Sequence, residues 1–240
     1  MISYSAMKED LGIYRIFQKW KYNRDFKKKH PFYFQPDGLV VFIGSQGSGK
    51  TLSAVNYVYQ LMKNYPKALL VSNIELTDYP FDNERVFYFN DATDLMKYSN
   101  GEYGVIFLID EIQLYFNSLQ SKNINIDVMT QISQQRKQRK HIIGTSQVFG
   151  RMAKPLREQF SNVIQCKGYF NTLQINSLID RDSLESDEST GTNITGQVKK
   201  KFFFFRSPKM FKRYDTYAII NNPNLSVSVD KQDIYERSEK

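Results

Sequence analysis

The chain has 240 residues, enough for one sizeable core and short for two full domains. Its 41% hydrophobic and 24% charged residues are the balance of an ordinary folded protein, and its net charge of +8 favours polyanionic partners such as nucleic acid or an anionic membrane surface. One cysteine and two histidines exclude a disulfide framework, a thiolate-cluster metal site and a His-rich zinc site.

Residues 1–36 read as a basic N-terminal helical arm. Helical spacing over 5–29 places Leu11, Ile16, Phe17 and Trp20 on one side, and Lys19, Lys21, Arg24, Lys27, Lys28 and Lys29 make it strongly cationic. Two readings stay open: an arm touching nucleic acid, membrane or a neighbouring subunit, or a solvated helix packed across the core by its aromatic side chains. Residues 37–225 then alternate short apolar runs with helical stretches. Strands are expected at Leu39–Ile43, Ala68–Val71, Val86–Phe89, Val105–Ile109 and Ile142–Thr145. Helices are expected at Lys50–Lys63 and, shorter, Ala92–Tyr98, and a helix with a densely basic end over 124–140. This order predicts an α/β fold, a three-layer sandwich with a mainly parallel central sheet. Further on, 162–170 and 173–179 read as a hairpin joined at Asn171-Thr172. Residues 181–198 read as an exposed polar loop, Lys200–Arg206 as a basic-flanked aromatic strand, and 226–240 as a polar C-terminal tail.

Chemistry enters at three places. Gly44-Ser45-Gln46-Gly47-Ser48-Gly49-Lys50-Thr51 matches the full Walker A pattern and sits between a predicted strand and a predicted helix. Its glycines permit a tight turn that aims backbone N–H groups at phosphates, Lys50 is placed to reach the β- and γ-phosphates, and the Thr51 hydroxyl to ligate Mg²⁺. Asp110 ends the apolar strand 105–109, as a Walker B carboxylate holding Mg²⁺ through water does. Glu111 beside it is free to polarise an attacking water as general base, the pairing of an ATP hydrolase. Gln147, at the end of the Ile142–Thr145 strand in the run Thr145-Ser146-Gln147, is placed to bond attacking water or to report the phosphate state.

Together these elements resemble the FtsK–HerA superfamily of DNA-translocating ATPases, of the ASCE, RecA-like class. The nearest branches are the Zot-like proteins, which include filamentous-phage assembly ATPases, and viral genome-packaging ATPases. The resemblance spans roughly residues 38–180. It rests on Gly44–Thr51, Val105–Glu111, the basic segment around Arg136 and Arg139, Thr145–Gln147, and Lys154-Pro155-Leu156-Arg157. It implies a homo-oligomeric ring, hexamer or pentamer, hydrolysing ATP with Mg²⁺ at sites between subunits and moving DNA for packaging or export. An arginine would be supplied in trans, from Arg139, Arg136, Arg151 or Arg157. A phage, virion or membrane assembly protein is a possible further partner. Filamentous-phage members continue into a membrane-spanning segment and another domain. Here no apolar run is long enough to span a bilayer and no signal-peptide core is visible, so a cytoplasmic or virion-associated protein, peripheral at a membrane at most, is the expectation. DNA-phosphate contacts are expected from Lys122, Lys137, Lys140 and Lys199–Lys201, without base reading. The alternative function is an ATP-dependent assembly or secretion switch that does not move DNA.

Overall fold

The computed structural model describes residues 13–35, 38–78, 80, 83–117, 126–180, 183, 185–186 and 194–214. The chain forms helix α1 (Ile13–Lys29), then β1 (Leu39–Ile43), α2 (Lys50–Asn64), β2 (Leu69–Ser72), β3 (Val86–Tyr88), α3 (Asp94–Lys97) and β4 (Val105–Ile109). There follow α4 (Ile126–Ser133), β5 (Lys140–Ser146), α5 (Lys154–Arg157), β6 (Phe160–Tyr169), β7 (Leu173–Ile179), β8 (Glu185–Ser186), β9 (Ile194–Thr195), β10 (Val198–Phe205) and α6 (Pro208–Phe211).

One sheet of eight strands in the order β10-β7-β6-β1-β5-β4-β2-β3 organises the molecule. From β6 through β3 every pairing is parallel; β7 and β10 add antiparallel at the other edge. Helices flank a mostly parallel sheet, the three-layer P-loop sandwich expected from the sequence. β5 lies between β1 and β4, so the strand ending in Gln147 separates the Walker A and Walker B strands.

The strands β1 and β4 are apolar at every position because both faces are covered. Leu39, Val41, Ile43, Val105, Phe107 and Ile109 join one core with Val128, Ile132, Phe149 and Leu156. Val40, Phe42, Ile106 and Leu108 join the other, against Leu52, Val55, Val58, Tyr59 and Met62 of α2. Burying a large aliphatic side chain contributes about 1.5–3 kcal/mol, so these two layers fix the sheet on which the site is mounted.

Several expectations are corrected. The helix expected over 124–140 ends at Ser133, and residues 134–139 are turns with Arg139 in the left-handed region at φ 52°. Arg136 and Arg139 therefore do not cap a helix. Both precede the start of β5, at the opposite end of the sheet from the Walker A loop. Lys140 is buried in β5 with its Nζ donating to the Leu95 carbonyl (2.7 Å), which removes it from the DNA-contact set. The polar stretch 181–198 contains the short antiparallel β8–β9 pair and the start of β10. Lys122 and the 226–240 tail lie outside the described residues.

The hairpin is present, with its turn one residue earlier than expected. Phe170 (φ 51°) and Asn171 (φ 54°) are both left-handed and the Thr172 N–H donates to the Tyr169 carbonyl (3.1 Å), the two-residue turn whose twist suits a hairpin. Along α1, Trp20 is 56% exposed and has the Arg24 guanidinium 5.1 Å over its ring, so it does not pack the arm across the core. Phe26, further along the same helix, stacks on His30 and lies edge-on to Tyr33. Among the described residues no helix is long and apolar enough to cross a membrane.

Candidate active site

The loop 44–49 leaves the carboxyl end of β1 and turns directly into α2. Gly47 (φ 75°) and Gly49 (φ 86°) hold conformations that cost an L side chain, which is why glycine stands there. A Cβ on Gly49 would also lie 2.2 Å from Gln174 Oε1, so that position is closed on steric grounds as well. Lys50 opens the helix, is buried, and donates from Nζ to the Ser45 carbonyl across the loop (3.1 Å).

Thr51, Asp110 and Thr145 converge from three elements. The Thr51 hydroxyl donates to Asp110 Oδ1 (2.9 Å) from α2, and the Thr145 hydroxyl donates to the same oxygen (2.5 Å) from β5. Asn73, just past β2, clamps the Asp110 peptide from both sides. Its amide donates to the Asp110 carbonyl (2.9 Å) and its oxygen accepts the Asp110 N–H (2.8 Å). Burial pushes the Asp110 carboxyl above its ordinary range, against the two hydroxyl donors; Glu111 adds to the rise and Lys50 opposes it.

Glu111 follows in a left-handed conformation, φ 50°, which swings its side chain out of the strand direction. Its N–H donates to Thr145 Oγ1 (3.0 Å), and its carboxylate accepts from Gln147 Nε2 (3.0 Å) and from the Gln113 amide. Strained backbone of this kind persists where its surroundings over-determine it. Thr145 serves both acids, accepting from the Glu111 N–H while donating to Asp110.

The structure thus gathers Lys50, Thr51, Asp110, Glu111 and Gln147 at the carboxyl ends of β1, β4 and β5. Of the arginines, Arg136 and Arg139 sit at the opposite end of the sheet, ahead of the central strand β5. Arg139 stacks over Tyr33 (4.5 Å) and donates to its hydroxyl (2.7 Å) and to the Gly101 carbonyl (3.2 Å). Arg157 ends α5 just ahead of β6, and Arg151 is exposed in the turn after β5.

Sequence reasoning missed Asn73, and gave Thr145 no role of its own. A hydroxyl next to Ser146 in the same strand end was the available signal for Thr145. For Asn73, polar and one residue past an apolar strand, the signal was position alone. The single thiol, Cys166, is buried and pushed up to about 12, so it supplies no nucleophile.

The donor set fits a nucleotide with Mg²⁺. A buried carboxylate beside a hydroxyl offers hard oxygens, and Mg²⁺ needs only one or two such protein ligands beside phosphates and water. A cation there would favour the ionised form that burial disfavours. The buried Ser48 hydroxyl, inside the loop, has no hydrogen-bond partner among the described residues.

No family model and no curated protein matches the sequence. Among solved structures, the fold is similar to the N-terminal domain of zonular occludens toxin from Neisseria meningitidis, with 14% identity and TM-score 0.48 over 74% of this chain and 98% of that one. It is also similar to the genome packaging NTPase B204 of Sulfolobus turreted icosahedral virus 2 in complex with ATP-gammaS, with 16% identity and TM-score 0.44 over 57% and 78%. A third is the flagellar accessory protein FlaH from Methanocaldococcus jannaschii, with 14% identity and TM-score 0.42 over 64% and 83%.

Proposed function

We propose that the chain is a Mg²⁺-dependent ATPase that moves DNA as a homo-oligomeric ring, for the packaging or export of a viral or mobile genome. The observation that carries the hydrolase half is the shared hydroxyl of Thr145, which holds Asp110 at the loop and Glu111 beside it in one hydrogen-bonded unit. Thr51 and Asp110 would hold Mg²⁺, and backbone N–H groups of 45–50 with Lys50 would hold the phosphates. When bound, the metal neutralises charge developing on the transferred phosphoryl group. Glu111 accepts the proton of the attacking water at its carboxylate, and Gln147, hydrogen-bonded to that carboxylate, keeps it oriented.

The ring and the DNA rest on the sequence resemblance and on the distribution of charge. Arg136 is exposed, whereas Arg139 would have to leave Tyr33 and Gly101 to meet a neighbour's phosphate, so we place Arg136 ahead of it as the residue supplied in trans. Lys199 pairs with Asp180 (2.9 Å), which leaves Lys200 and Lys201 of that run for a polyanion. The antiparallel register puts Lys167, Lys201, Phe203 and Phe205 on one sheet face, with Phe203 71% and Phe205 72% exposed. Cations interleaved with exposed aromatic rings suit a nucleic-acid strand held through phosphates and stacking, without base reading.

The deciding experiment is the ATP turnover rate with and without single- and double-stranded DNA, with mass determination under the same conditions. DNA-stimulated turnover by a closed ring is the expected result. Turnover indifferent to DNA and raised only by a protein or membrane partner would replace the motor by an assembly switch.

A further inference from the structure

β7 is amphipathic in the unexpected sense. In Leu173-Gln174-Ile175-Asn176 the polar residues are the buried ones, with Gln174 fully inaccessible, and Leu173 and Ile175 are half-exposed. An amide without exposure requires partners. Gln174 Nε2 donates to the Ser48 carbonyl (3.1 Å) and to Asn176 Oδ1 (3.0 Å), and Asn176 in turn accepts from the Ser53 hydroxyl of α2 (3.1 Å). Gln174 Oε1 accepts from Arg206, at Nε (3.1 Å) and Nη2 (2.7 Å), and Arg206 Nη2 also lies 3.3 Å from the Ser48 carbonyl. Arg206 stands immediately after β10, its own N–H anchored on the Thr172 carbonyl (2.7 Å). Its guanidinium lies against Gly168 of β6, where a Cβ would come within 1.9 Å of Nη2.

We infer that Gln174 and Arg206 are positioning residues of the phosphate loop, a brace that sets the direction of the Ser48–Gly49 peptide. The inference rests on the ATPase reading. In a planar trans peptide the carbonyl and the following N–H point in opposite directions. Holding the Ser48 carbonyl outward, against β7 and β10, therefore turns the Gly49 N–H inward, to the side where Walker A amides meet phosphate. Gly49 has φ 86° and no side chain, so its own backbone would otherwise leave that peptide free to rotate. The guanidinium of Arg206, a charged donor, makes the carbonyl contact stronger than an amide alone would. The glycine at 168 exists on this account to admit the guanidinium: its φ lies outside the left-handed region, and the three atoms nearest a Cβ there all belong to the side chain of Arg206.

The experiment uses the full-length chain with Gly168→Ala, Arg206→Ala, Arg206→Lys and Gln174→Ala. Affinity for a fluorescent ATP analogue with Mg²⁺ is measured, together with kcat, KM, and hydrogen exchange of the amides over residues 47–51 without nucleotide. Losing one charge-assisted hydrogen bond corresponds to roughly a 10-fold loss. Arg206→Ala and Gly168→Ala should both raise the Kd about 10-fold, raise KM in parallel, change saturated kcat by less than about 3-fold, and speed exchange at the loop. Arg206→Lys, with a single point donor, should fall between them and wild type. Gly168→Ala removes no polar atom and displaces only a flexible side chain, so it reports on the brace even if Gln174→Ala fails to fold. Unchanged exchange and a Kd within twofold of wild type in both Gly168→Ala and Arg206→Ala would overturn the inference. A wild-type chain that binds no ATP would instead sink the ATPase reading, while the exchange measurement would still decide whether the brace holds the loop.

Discussion

The two halves of the sheet treat polar residues in opposite ways. In the parallel half each functional side chain sits at or just past the carboxyl end of a fully buried strand: Lys50 and Thr51 beyond β1, Asp110 and Glu111 beyond β4, Thr145 and Gln147 at the end of β5. In the antiparallel half the polar residues Gln174 and Asn176 lie inside a strand, buried toward the phosphate loop, while aromatic rings of β10 stand in solvent. The first half concentrates chemistry where main-chain direction ends. The second supports that chemistry from behind with one face and presents the other outward.

The comparison breaks most sharply if the acids of the parallel half are dispensable. Glu111→Gln keeps the shape and the contact with Gln147 but cannot accept a proton. Turnover should fall about 10²–10⁴-fold, the range of general acid–base catalysis, with nucleotide binding retained. Normal turnover in single-turnover assays would remove Glu111 from the base role. Next in size is Thr145→Val, which deletes one hydroxyl and leaves the Glu111 N–H without its acceptor and Asp110 without one donor. A fall in kcat of roughly 10-fold or more is expected, with thermal stability lowered by the unpaired buried amide. If kcat is unchanged, the two acids are positioned independently of β5.

These polar residues differ in how legible they are in the amino-acid sequence. Walker A was legible as a complete pattern between a predicted strand and a predicted helix, and Asp110 with Glu111 because they end an apolar run beside it. The segment after Ser133 was misread because Gln134-Gln135-Arg136-Lys137 has good helix propensity, yet the chain must reverse there to enter β5, and Arg139 takes a left-handed conformation to do so. Gln174 and Arg206 were illegible for a different reason. Leu-Gln-Ile-Asn alternates as a half-buried strand should, and alternation does not say which face is inside. The inner face meets the main chain of a phosphate loop, which needs donors rather than methyl groups.

A smaller effect probes the outward face of the antiparallel half. Lys201→Glu with Phe203→Ser changes two exposed side chains, so stability should stay within about 0.5 kcal/mol. DNA affinity should fall roughly 10-fold, with the salt dependence of binding reduced by about one unit of slope, as for loss of one phosphate contact and one stacked base. Equal DNA affinity together with a smaller particle mass would make this face a contact between copies instead.

The smallest effect sharpens the electrostatic side of the comparison, because the parallel half buries a carboxyl where the antiparallel half buries amides. Burial holds Asp110 above its ordinary value of 3.8, so the folded chain binds that proton more tightly than the unfolded chain does. The associated stability is fully present below the unfolded pKa and is lost as pH rises through the folded one. Without nucleotide or Mg²⁺, Asp110→Asn escapes that loss, although its amide must rotate to accept from both Thr51 and Thr145. Its Tm should exceed wild type by about 2–4 °C at neutral pH, with the gap closing in acid. Adding Mg²⁺ and ATP should then reverse the order, because only the carboxylate gains a cation. A gap that does not change with pH would mean that Asp110 is already ionised at little cost, its charge carried by Lys50 and the two hydroxyls.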